Sequence, residues 1–212
     1  MKKPVTLYIL LLALSIGVLF LLNLFLGSVD IPFRSIWNIL WGMDEGESVI
    51  WQNIIWKSRV PQALTAMVAG AGLAVSGLQM QTVFRNPLAG PSVLGISSGA
   101  SLGVAFVVLL SGSIGGIALS RLGFMGEIAL TMAAIIGALS IMALIVYVSQ
   151  KVHGNVTLLI IGVMIGYVAN AVIGVLKFFS VEEDIRAYVI WGLGSFARVS
   201  GNQMMVFVCI MA

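Results

Sequence analysis

Positions 5 to 26 run for twenty-two residues without one charged side chain. At about 1.5 Å per residue a helix of that length crosses the roughly 30 Å hydrocarbon layer of a bilayer. Further uncharged or nearly uncharged apolar runs follow at about 62–84, 92–111, 124–148 and 155–176. Only 9% of the chain is charged, whereas a soluble domain carries about 25%. Such a chain cannot cover a water-facing surface, so the bilayer must act as its solvent. The fold expected is an all-α polytopic transmembrane helical bundle.

The first run follows Lys2 and Lys3 and lacks a small-residue cleavage site. It reads as an uncleaved helix with the amino terminus inside. The last run begins near Gln203 and has about ten residues before Ala212, too few to cross. We therefore expect about six spanning helices, the last one incomplete, in a single permease-like membrane domain over 1–212. Alternating helices put Lys2, Lys3, Arg85 and Lys151 inside and the other seven of the eleven Lys and Arg residues outside. Only the amino-terminal lysines follow the positive-inside tendency.

Residues 28–58 are mixed. Pro32 suits a first helical turn and Asp30 is a candidate cap. Trp37 and Trp41 are four apart and share one helix face. None of the five tryptophans falls in the middle of a long apolar run, which is the interfacial aromatic habit. Residues 31–41 are thus expected to form a short helix on the outer membrane surface.

Small residues recur at fixed spacing. Gly95, Gly99 and Gly103 mark the third run, and Gly162, Gly166, Asn170 and Gly174 form an i, i+4 stripe on the fifth. Close helix packing explains either series. Asn170 prefers a partner or water to lipid, so the second stripe is also a candidate pathway lining. Gln79 and Gln81 are expected to bond backbone or a neighbouring helix.

The middle of the runs carries no ionisable group. That argues against an ion- or proton-coupled carrier and against an intramembrane enzyme. The single His153 and single Cys209 offer no metal site and no disulfide. No basic run suggests nucleic acid, and no phosphate-binding G-x-x-x-x-G-K-[ST] stretch is present. A transporter energised by another subunit fits best. A structural or assembly membrane protein and a self-contained secondary carrier remain the alternatives.

The stretch "RNPLAGPSVLGISSGAS", 85–101, interrupts the apolar pattern. Asn86-Pro87 should end one helix and Pro91 start the next, while Arg85 reaches headgroups or the last carbonyls. From Arg59 the chain reads "RVPQALTAMVAGAGLAVSGLQMQTVFRNPLAGPSVLGISSGASLGVAF", followed by "LLIIGVMIG" (158–166) and "AYVIWGLGSF" (187–196). In this order these segments resemble the FecCD-like (type II) membrane subunits of ABC importers for ferric siderophores, haem and cobalamin.

The resemblance implies a ten-helix subunit of the bacterial inner membrane, of which this chain would be the amino-terminal part. It implies a homodimer with the path on its axis, two cytoplasmic ABC ATPase subunits, and a periplasmic or lipid-anchored substrate-binding protein. No cofactor is implied. Arg85, Asn86, Pro87, Pro91, Gly95 and Gly99 fall in the family's signature turn. Arg59 matches the first arginine of an "R-x-P-R" pattern that meets the binding protein. Gln62 stands at the second, and Lys57 is a possible substitute. Asn155 and Val156 fall at the cytoplasmic gate of cobalamin-importing members, which carry hydroxyl residues there. Gly162, Gly166, Asn170 and Gly174 fall on the helix that lines the path.

Overall fold

The computed structural model describes residues 5–43, 46, 48–115, 124–152, 154–196, 199, 201, 204, 207 and 208, with the side chains of 111–115 and 124 left aside. The elements are α1 (Val5–Phe25), α2 (Phe33–Leu40), α3 (Val49–Ile54), α4 (Val60–Phe84), α5 (Ile96–Gly115), α6 (Phe124–Ser149), α7 (Asn155–Phe179) and α8 (Glu182–Gly192). Among the described residues there is no strand. Among the described residues four helices are long and apolar enough to cross a membrane: α1, the joined α3–α4, α6 and α7. The apolar part of α5, Ile96–Leu110, is shorter. The all-α polytopic class is therefore as expected. Most of the run after Gln203, with His153 and Cys209, lies outside the described residues.

Contacts divide the chain into two compact units, residues 1–72 with 195–212, and residues 73–194. In the first, Ile36 and Ile39 of α2 bury against Ile31 and Ile55. The α2 helix starts at Phe33, with the Ile36 N–H donating to the Pro32 carbonyl at 3.1 Å. Pro32 therefore occupies the cap position itself, and Asp30 does not cap. The α3 helix is capped by the Ser48 Oγ, which accepts from the Ile50 N–H at 3.3 Å.

Helix α3 does not end before α4. A π-helical turn, Ile55–Arg59, joins them. Its cause is Pro61. A proline ring clashes with the carbonyl four residues back and offers no N–H, so an α ladder cannot pass through Lys57 unchanged. Widening the turn lets the helix continue. Within α4 the Pro61 carbonyl accepts from the Thr65 Oγ1 at 2.7 Å.

In the second unit α4 ends at Phe84 in a complete Schellman closure. The Asn86 N–H donates to the Gln81 carbonyl at 3.1 Å, and the Arg85 N–H to the Thr82 carbonyl at 3.3 Å. Arg85 sits at φ 48°, the left-handed position where glycine is usual. It thus closes the helix with its backbone. Pro91 does not start α5, contrary to expectation. Residues 90–95 form turns, with Val93 N–H to Gly90 O and Gly95 N–H to Ser92 O, both 3.1 Å. Gly95, at φ +74°, turns the chain into a helix that begins at Ile96.

Glycines set the packing of α5 on its neighbours. A Cβ at Gly103 would run into the Ala133 carbonyl of α6, and one at Gly137 into the Gly99 carbonyl of α5. A Cβ at Gly95 would lie 2.8 Å from the Gly162 carbonyl oxygen of α7. Without side chains between them the backbones approach closely, which replaces the missing hydrophobic drive between helices in lipid. Farther along, Val104, Ala105, Val108 and Leu109 of α5 pack with Ile173 of α7 and Tyr188 of α8.

Gly95→Ala combines left-handed strain with this contact and should destabilise the folded chain by about 2 kcal/mol or more. Gly70, with nothing within 4 Å of an added Cβ, is the control. Gly70→Ala should be neutral or stabilise by up to about 1 kcal/mol. Unfolding of both variants in mixed micelles measures the difference, and equal stabilities would overturn this account of the α5–α7 contact.

Candidate functional site

The signature stretch and the start of α7 come together in one region. The Asn155 Nδ2 donates to the Val83 carbonyl at 2.9 Å, one residue before the end of α4. That bond satisfies one of the four carbonyls a helix end leaves open. The Asn86 Oδ1 accepts from the Leu88 N–H at 2.9 Å, and the Gln81 Nε2 donates to the Pro87 carbonyl at 3.2 Å. Phe84, Ala89 and Leu94 then bury with Ile145 of α6 and Leu159 of α7. Pro87 is exposed and Pro91 half-buried in the same turn. Val156, the second expected gate position, is exposed. Gly154 precedes α7 at φ +112° and lets the chain enter it.

The i, i+4 stripe of α7 divides into two halves. Gly162 and Gly166 are buried against the approach to α5. A Cβ on Gly162 would lie 2.8 Å from Leu94 Cα, and one on Gly166 3.3 Å from Ser98 Oγ. Neither glycine is an open lining within this chain. Asn170 and Gly174 are exposed, and an added Cβ at Gly174 would meet nothing within 4 Å. The Asn170 Nδ2 donates to the Gly166 carbonyl at 2.9 Å and lies 3.5 Å from Ser98 Oγ.

Two contributors were not singled out from the sequence. Ser98 faces Asn170, and Ser101 hydrogen-bonds the Tyr188 hydroxyl of α8. The serines of "GISSGAS" at i and i+3 were the available signal. Lys177 stands 4.8 Å from the centroid of the Tyr188 ring, a cation–π contact at the α7–α8 corner. The Ser180 Oγ closes that corner, 2.6 Å from the Leu176 carbonyl and 3.0 Å from that of Leu109. In the first turn of α8, burial raises the Asp184 carboxyl above its usual pKa, and the neighbouring Glu183 charge adds to the shift.

An apolar cleft of about 290 Å³ opens between α5, α6 and α7, lined by residues such as Leu102, Leu144, Met164 and Val168. Its lining residues supply no convergent polar side chain, and none of the expected site residues is among them.

Arg59 and Lys57 belong to the other unit, on the π-helical turn. Lys57 is exposed, but Arg59 is buried. The Arg59 Nη1 donates to the carbonyls of Leu24 at 2.5 Å and Phe25 at 3.2 Å, and Nη2 to Val29 at 2.5 Å. One guanidinium thereby caps the end of α1 and holds the chain that leaves it. Gly27 makes the room, since a Cβ there would lie 2.7 Å from Nη2. Gln62, next to Pro61, is half-buried.

Arg59→Ala leaves buried carbonyls without donors and should cost about 2–3 kcal/mol. Arg59→Lys should recover only part, because an ammonium lacks the planar fork that reaches all three. Unfolding titrations of the purified variants in detergent check this, and wild-type stability of Arg59→Ala would show that the cap carries no weight.

Comparison with known proteins agrees with the segments that build this region. Residues 12–212 match the family model described as the FecCD transport family. The hemin transport system permease protein HmuU of Yersinia pestis is 35% identical over 182 residues, covering 85% of this chain and 51% of that protein. The vitamin B12 import system permease protein BtuC of Serratia proteamaculans is 36% identical over 197 residues, covering 92% and 53%. A solved metal-chelate type ABC transporter in an inward-facing conformation superposes with a TM-score of 0.72 at 27% identity, over 94% of this chain and 57% of that one. The chain spans about half the length of the curated relatives it matches. With its helices, its signature turn and its match from residue 12 onward, the chain belongs to the FecCD transport family.

Proposed function

We propose that this chain forms part of the membrane-spanning subunit of an ATP-driven importer. The cargo is an iron chelate, siderophore or haem, or cobalamin, handed over by a substrate-binding protein. The observation that carries the proposal is the seating of 85–101 against the first half of α7, in a chain that matches the FecCD model over residues 12–212. The relatives' names, a hemin permease and vitamin B12 permeases, support the cargo class. Hydrolysis of ATP then belongs to cytoplasmic ABC subunits and not to this chain.

Gly162 and Gly166 fix α7 through backbone contact, which leaves Asn170 and Gly174 as the members of the stripe that line the path. Their small, uncharged surface suits passage of a bulky ligand without tight retention. Asn155 and Val156 serve the inner gate, with Asn155 held to the end of α4. Docking of the binding protein falls to exposed Lys57. Arg59 contributes by shaping the segment around it. A homodimer places two such α7 helices about one axis, and the chain sits in the bacterial inner membrane as a multi-pass protein, amino terminus in the cytoplasm, within a single permease domain.

The test is reconstitution of the complete complex in vesicles with its ATPase and binding protein. Cargo-loaded binding protein should stimulate ATP hydrolysis and uptake, and Asn170→Leu should cut uptake about tenfold or more while the complex still assembles. Uptake that survives ATP depletion and collapses with the proton gradient would replace this reading with a secondary carrier. Assembly without any uptake would favour a structural role.

A further inference from the structure

Four rings line up where α1 hands over to α2. Phe25, the last residue of α1, stacks on Phe33 with centroids 4.7 Å apart. Phe33 stacks on Trp37 at 6.4 Å, and Trp37 meets Trp41 at 5.8 Å. The i, i+4 spacing of 33, 37 and 41 makes this one ridge along α2. The opposite face is already used, since Ser35, Ile36 and Ile39 are buried. The ridge itself is open: Phe33 is 64% exposed, Trp37 47% and Trp41 65%.

A row of open rings needs an occupant, and the structure restricts the choice. The row begins on an apolar helix that the rest of the described chain leaves uncovered along its crossing window, so the ridge continues an exposed apolar surface. The α1 helix has 21 residues, about 32 Å at 1.5 Å per residue, which uses up the hydrocarbon thickness. Phe25 therefore stands at the hydrocarbon edge and the rings beyond it at headgroup depth. Exposed Arg34 lies beside this row, three residues before Trp37, a cation suited to the phosphate layer. Arg59 makes the handover rigid by holding the carbonyls of Leu24, Phe25 and Val29.

We propose that the Phe25–Phe33–Trp37–Trp41 ridge is a lipid seat, embedded in the phospholipid headgroup layer with Arg34 at the phosphates. It fixes the depth of α1, and through Arg59 that of the π-helical turn. A second protein or a second copy of the chain would cover the rings instead.

The experiment uses the 212-residue chain in phosphatidylcholine–phosphatidylglycerol vesicles whose acyl chains carry bromine either near the glycerol or near the methyl end. In a variant with Trp51→Phe, Trp56→Phe and Trp191→Phe, only Trp37 and Trp41 report. Shallow bromine should quench their fluorescence at least about twofold more than deep bromine. Quenching that is absent from both positions, equal, or stronger from the deep one overturns the proposal. Circular dichroism checks that this variant folds. If it does not, Trp37→Phe with Trp41→Phe in the otherwise native chain is compared with the native protein. The excess of shallow over deep quenching should then fall, and an unchanged excess overturns the proposal.

Discussion

Backbone hydrogen bonding away from water is the constraint on which the rest of this structure depends. In hydrocarbon an unpaired N–H or C=O costs several kcal/mol, so a spanning chain can leave its helical ladder only where something else pairs the freed groups. Three interruptions among the described residues show how this is met. The end of α1 is taken by the Arg59 guanidinium. The end of α4 is closed by the Arg85 and Asn86 N–H groups and the Asn155 amide. At Pro61 the ladder widens by a π-helical turn and continues.

The same constraint explains why the glycines matter more than the large side chains. In lipid, burying a leucine against another helix gains little over leaving it among acyl chains. Close backbone approach gains dispersion contacts along the whole crossing. Gly99, Gly103 and Gly137 give α5 and α6 that approach, and Gly95, Gly162 and Gly166 give it to α5 and α7. Most large apolar side chains of α1, α6 and α7 consequently point outward and remain exposed.

Much of this was legible in the sequence because the bilayer imposes a length and a polarity. The runs at 62–84, 124–148 and 155–176 correspond closely to α4, α6 and α7. What failed was local and turned on proline. The run from about 62 read as the start of a helix, yet the helix begins at Val49 and passes through Pro61. Pro91 read the same way, yet the backbone enters α5 only after Gly95. Proline specifies its own φ but not whether a neighbour absorbs the lost bond. Arg59 was legible as an important cation, but not as an inward one. Its partners are carbonyls 30 to 35 residues away, and carbonyls are present at every position.

The stripe on α7 shows the limit of periodicity most clearly. Gly162, Gly166, Asn170 and Gly174 are equally spaced, and their spacing alone assigns them one role. The structure gives them two environments, because backbone of the α5 approach lies directly against Gly162 and Gly166 and not against Asn170 or Gly174. The turn at 90–95 brings backbone against Gly162 and Gly166, and past Ser98 the neighbouring side chains lengthen to Leu102 and Leu109. Beyond that point α7 keeps contact through Ala169 and Ile173, on an adjacent face, and Asn170 and Gly174 are released to the exterior. One helix can therefore be locked at its start and open at its middle, and a signature turn more than sixty residues upstream decides where the change occurs.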